Sequence, residues 1–217
     1  MPLYMPSEKD FQIVPAGTHP ATCFRVIDVG TQATSFGPKH QVFFFWELAD
    51  APRDDGRLFT ISRRYTHSAD RKATLRIDIE SWLGRGLTTA DFGALDLATM
   101  LGRSCLIGIK HDNRPDGRSF ANVTNVMKPP AGMPERMPPG NDAISLSLSD
   151  RPFAQYDYEA LPGWLQEIIA QSPEYELAVN APPTPIARAT VQAALRIQPP
   201  GKKTSIFDTD LDDNIPF

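Results

Sequence analysis

The residues best suited to chemistry in this chain are aromatic and basic, and they lie close together. Val42-Phe43-Phe44-Phe45-Trp46 is followed, after a polar turn at 52–56, by Ile61-Ser62-Arg63-Arg64-Tyr65-Thr66. Successive side chains of an extended strand point to opposite sides, so Val42, Phe44, Trp46 and Leu48 form one set and Phe43, Phe45 and Glu47 the other. One set can fill a core. The other must be covered by a neighbouring element or offered to a ligand. Aromatic faces beside arginine suit a single-stranded polynucleotide, because bases stack at about 1–3 kcal/mol each while cations track the phosphates, with little regard to sequence. Phe43, Phe45, Arg63, Arg64 and Tyr65 are therefore candidate contacts. The competing arrangement packs Phe43 and Phe45 beneath the following helix and leaves Arg63 and Arg64 as a solvated edge.

A second group closes the chain. Asp208, Asp210, Asp212 and Asp213 are interspersed with Phe207, Leu211, Ile215, Pro216 and Phe217. So acidic a segment cannot bury enough apolar surface to fold alone. Its charge steers it to basic surfaces, and a terminal carboxylate can be captured by arginine or backbone N–H groups. Asp210, Asp212, Asp213, Ile215, Pro216 and Phe217 are thus expected to bind a partner protein; the alternative is a solubilising tail. Signals for catalysis are weak. His19, His40, His67 and His111 have no paired spacing, Cys23 and Cys105 form no zinc set, and Gly102-Arg103-Ser104 lacks the glycine loop of a nucleotide-phosphate site. Asp54-Asp55 sits in a turn, whereas a two-metal nuclease needs carboxylates on rigid elements. No catalytic residue, metal or cofactor is expected.

The elements that must position these groups follow from punctuation and period. Residues 1–128 carry 16 Lys+Arg against 14 Asp+Glu, and residues 129–217 carry 6 against 12, so a near-neutral to basic body precedes an acidic appendage. Fourteen of the 21 prolines fall after residue 128, which marks 129–142 as a linker and 181–217 as a disordered tail. Between them, residues 143–180 are expected to form a small satellite with a short helix from Pro162 to Gln171, in which Trp164, Leu165, Ile168 and Ile169 can cover one face; it is too short to stand alone. In the body, strands are expected over Gly17–Thr31, Gln41–Leu48, Leu58–His67, Ser104–His111 and Ser119–Met127. Ser68 is placed to cap a helix over Ala69–Leu83 that stops at Gly84, and a shorter helical stretch spans Thr88–Leu101. The two cysteines read as small core residues in a reducing cytosol. No apolar run is long enough to cross a membrane and no charged start precedes an apolar core, so a cytoplasmic protein is expected.

Three strands, a helical insert and two strands make a mainly β chain with the connectivity of an OB-fold, a five-stranded, partly open barrel that commonly binds oligonucleotides. The end of the chain, Asp212-Asp213-Asn214-Ile215-Pro216-Phe217, resembles the acidic tip of bacterial and phage single-stranded DNA-binding proteins, with Asn214 where an acid is usual. The block from residue 15 to 130, through Ile61-Ser62-Arg63-Arg64-Tyr65-Thr66, Lys72-Ala73-Thr74-Leu75-Arg76 and Glu80-Ser81-Trp82-Leu83-Gly84-Arg85, with the later Leu161-Pro162-Gly163-Trp164-Leu165, resembles a family of bacteriophage single-stranded DNA-binding replication or recombination proteins. That resemblance adds Lys72, Arg76, Trp82 and Arg85 to the candidate DNA contacts; Trp82 and Arg85 serve equally well as a packing anchor and its capping partner. It implies an OB-fold-like domain over 1–128 that coats single-stranded DNA in a bacterial host and recruits replication or recombination proteins through its tip. A recombination mediator or annealing protein is the alternative, and a metal-dependent nuclease a weaker one. A homo-oligomer is left open.

Overall fold

The computed structural model describes residues 12–113 and 119–180. Residues 1–11 and 114–118, and the acidic tail with Asp210, Asp212, Asp213, Ile215, Pro216 and Phe217, lie outside these residues. Five antiparallel strands follow the expected order: β1 (Gly17–Gln32), β2 (Lys39–Pro52), β3 (Leu58–Thr66), β4 (Ser104–Asn113) and β5 (Ser119–Met127). They lie side by side as β3-β2-β1-β4-β5. β1 is long enough to serve two partners: residues 21–32 pair with β2 and residues 17–22 with β4. A sixth strand, β6 (Ile144–Leu146), pairs parallel to β1 at Arg25–Ile27.

The described residues are mainly β, as expected, and their sheet is not a closed barrel. No ladder joins β3 to β5. Helix α1 (Thr74–Leu83) packs against both, and Arg63 Nη1 spans the gap by donating to the Thr124 carbonyl at 3.2 Å. α1 also starts five residues later than its sequence suggests. Asp70 N–H donates to Ser68 Oγ and Lys72 N–H to Asp70 Oδ1, so local side-chain-to-backbone bonds hold residues 68–72 in turns and no side chain caps Thr74. The helix does stop at Gly84, whose φ of 66° is the left-handed cap that glycine adopts without strain. The stretch over Thr88–Leu101 divides into α2 (Thr89–Gly93), closed by a capping box between Thr88 and Asp91, and a 3-10 turn at Leu97–Met100 capped by Asp96.

Both faces of β2 are buried, from Gln41 through Leu48. Val42, Phe44, Trp46 and Leu48 join Tyr65, Leu75, Ile79 and Trp82 in the core beneath α1, while Phe43 and Phe45 join Ile27, Val29, Leu146, Leu165 and Ile169 in a second core. The alternation read from the sequence is thus correct, and the second aromatic set is covered by residues 144–178 rather than by α1. Those residues form α3 (Gln155–Glu159), α4 (Gly163–Ala170) and α5 (Pro173–Asn180). They belong to one compact unit with the sheet. Segment 129–142 is also fastened to it: Ser104 N–H donates to Glu135 O, Met137 N–H to Gly102 O, and the Glu47 carboxylate accepts from Gly140 N–H at Oε1 and from the Asn141 amide at Oε2.

Polar groups hold α5 on β1. Glu174 accepts from Thr31 N–H at 2.8 Å and from Thr31 Oγ1 at 2.5 Å. The helix sits this close because Gly30 has φ 67°, at a bulge of β1, where a Cβ would lie 2.5 Å from the Ser172 Cβ.

Candidate nucleic-acid interface

A groove of about 460 Å³ lies at the free edge of β3, where the chain turns from β3 into α1. Lys39, Arg63, Arg64 and Lys72 line it with Tyr65 and Thr66, and Asp70 is its one acid. The Asp70 carboxylate is occupied, since its Oδ1 accepts from Lys72 N–H at 2.7 Å. The groove is therefore electropositive and polar, and it follows an edge whose backbone has no strand beside it.

The four cations differ in how free they are. Arg63 is 23 % exposed and its Nη1 donates to Asp78 Oδ2 at 2.8 Å. Tyr65 donates its hydroxyl to the same oxygen, also at 2.8 Å. Burial raises the Asp78 carboxyl above the ordinary carboxylate range in spite of these two partners and the Val126 backbone N–H, and burial with the neighbouring Asp78 charge raises the Tyr65 phenol. Arg63 is thus spent on a buried carboxylate. Arg64, Lys39 and Lys72 have no ion pair among the described residues. The Arg64 guanidinium lies 5.9 Å from the centre of the Phe43 ring, and the Lys39 ammonium 5.6 Å from the centre of the Phe36 ring. In each pair the charged head group itself lies over the aromatic face.

The other sequence candidates separate clearly. Phe43 and Phe45 are each 8 % exposed, Tyr65 4 %, Trp82 3 % and Arg76 2 %, so none offers a ring face or a free charge to a ligand. The physical reason is the second core for Phe43 and Phe45, and the core beneath α1 for Tyr65 and Trp82. Trp82 donates its indole N–H to Ser104 O at 2.7 Å. Arg76 is a strut: Nε donates to Glu80, Nη1 to Ala69 O and Nη2 to Leu87 O, which ties both flanking loops to α1. Arg85 is exposed but follows the C-terminal end of α1, about 15 Å of helix from the groove by the rise of ten residues. Lys39 was missed. Its signal was local, a lysine opening the strand that faces Arg64, and the structure brings it to the groove with Arg64 and Lys72.

Next to this site lies a titratable cluster. His40 Nε2 is 2.6 Å from Asp28 Oδ1, its Nδ1 is 3.7 Å from Glu174, and its ring centre is 5.2 Å from that of His67. The hydrogen bond that His40 donates to the Asp28 carboxylate raises the His40 pKa, whereas burial and then the His40 charge lower that of His67.

No family model, curated protein or solved structure matches this chain. No helix among the described residues is long and apolar enough to cross a membrane.

Proposed function

We propose that this chain is a single-stranded DNA-binding protein that coats exposed strands during replication or recombination and recruits partner enzymes through its acidic segment 208–217. The observation that carries this reading is the groove at the β3 edge, where Arg64, Lys39 and Lys72 stand, among the described residues, without an ion pair beside an unpaired strand. An unpaired cation set in an open, polar groove suits a phosphate backbone better than a compact small molecule. The strand order adds support. A long first strand shared between β2 and β4, with a helix between β3 and β4 beside the open β3–β5 edge, is OB-fold-like.

Binding of a labelled oligo-dT and of a duplex of equal length, each at two salt concentrations, tests the proposal. Single-strand preference with a steep loss of affinity on adding salt is expected. Equal affinity for duplex, or affinity indifferent to salt, would remove the reading.

A further inference from the structure

Two aromatic side chains remain outside both cores and touch the machinery of the groove. Phe36 is 85 % exposed at the tip of the β1–β2 hairpin. It is held there by a closed turn in which Thr34 N–H donates to Gly37 O and Gly37 N–H to Thr34 O, and the Lys39 ammonium stands over its ring. Trp164 opens α4 and is 47 % exposed. Its ring meets Phe43 edge-on at 5.9 Å and Phe45 at 6.3 Å, and Arg64 packs on that same Phe43 ring. Single exposed aromatics are ordinary on protein surfaces. Tyr156, 84 % exposed, is such a case, with no cation against its ring among the described residues. What distinguishes Phe36 and Trp164 is that each is coupled to one of the two cations that bound the groove along β2. Lys39 and Phe43 lie on one side of that strand, four residues and therefore about 13 Å apart.

We propose that Phe36 and Trp164 are base-stacking residues at the two ends of the cation row, so that α4, far along the chain from the β3 edge, forms part of the DNA surface. The assignment rests on the single-stranded DNA reading above. The chemistry is that of a sequence-tolerant track: phosphates meet Lys39, Arg64 and Lys72, and bases leave the backbone at either end to lie on a π-face. Trp164 replaces Phe43 and Phe45 as the aromatic presented beside Arg64, because those two rings are the floor on which it rests.

The test uses the full chain and its own fluorescence. Trp46 and Trp82 are 1 % and 3 % exposed, so a base stacking on Trp164 should quench the exposed indole selectively. Oligo-dT should quench the emission of the unsubstituted chain, and Trp164→Phe should abolish the quench while keeping an aromatic on Phe43. Phe36→Ala and Trp164→Ala should each weaken oligo-dT binding roughly 5- to 100-fold with the salt slope unchanged, since no phosphate contact is lost. Tyr156→Ala should leave the affinity as it was. If oligo-dT binds with the expected salt dependence but the quench persists in Trp164→Phe and neither alanine variant loses affinity, the stacking assignment falls while the DNA reading stands. A loss in only one variant keeps that residue and removes the other. If the unsubstituted chain does not bind oligo-dT, the DNA reading itself fails and takes this assignment with it.

Discussion

Arg63 and Arg64 are neighbours in sequence but should respond to alanine in opposite ways. Arg64, Lys39 and Lys72 are the free cations of the groove. If each neutralises one phosphate of a single strand, log K should fall against log salt with a slope of about −2, and affinity should drop roughly 20-fold between 50 and 200 mM. Arg64→Ala removes one of the three, so the slope should flatten to about −1.4 and the same salt step should cost about 7-fold. Its guanidinium holds no acid, so the melting temperature should barely change. Arg63→Ala instead strips the Asp78 carboxylate, 8 % exposed, of its ion-pair partner and leaves it with the Tyr65 hydroxyl and the Val126 backbone N–H, both uncharged donors. The loss should be about 2–3 kcal/mol, below the ~3–5 of a fully buried pair because Arg63 is itself partly exposed. For a domain of this size that is a fall in melting temperature of roughly 5–10 °C. Salt titrations of oligo-dT anisotropy, run beside thermal melts, separate the two. A stable Arg63→Ala that loses a unit of salt slope, together with an Arg64→Ala that binds as before, would reverse the roles and refute the assignment of Arg63 to Asp78.

Further outcomes follow from other contacts. Gly30→Ala, which needs φ 67° and brings a Cβ against Ser172, should destabilise the fold by about 1–3 kcal/mol, seen in a denaturant midpoint. Deleting 208–217 should leave oligo-dT affinity unchanged or tighter at low salt; a large loss on truncation would make the segment part of the binding site. His40 has its folded pKa raised, chiefly by Asp28, so the stability it adds is fully present below its unfolded value near 6.5 and is lost as pH rises through the higher folded value. Asp28, with its folded pKa lowered, contributes above its unfolded value near 3.9 and loses that contribution as pH falls further. The difference in melting temperature between the chain and His40→Gln should therefore be largest between about pH 4 and 6.5 and shrink toward pH 8. Part of the lowering at His67 comes from the His40 charge, so the comparison reads the two imidazoles together. A difference that grows toward pH 8 would refute this.

The strands and their alternation could be read from the sequence because both depend on neighbours. The period-2 pattern of 42–48 and the turn at 52–56 are local, and they survive intact in β2 and β3. What the pattern cannot state is which side is covered. Phe43 and Phe45 are indistinguishable in sequence from stacking residues, and their burial is decided by Leu165 and Ile169, which lie more than a hundred residues away. The same distance hides Arg63: an Arg-Arg pair looks like two phosphate ligands until Asp78 arrives on α1 to occupy one of them. Lys72 survives as a groove cation because Asp70 and Ser68 spend their hydrogen bonds on the backbone of the same turn, which also delays the helix. The errors share a cause. A basic or aromatic side chain is available to a ligand only when no distant element has claimed it, and for this chain the claimants are α1 on one side of the hairpin and α4 on the other. The apolar pattern of α4 indicated that it would dock. That it docks on Phe43 and Phe45 turns the two expected contacts into a platform and leaves the indole of Trp164 at the surface beside Arg64.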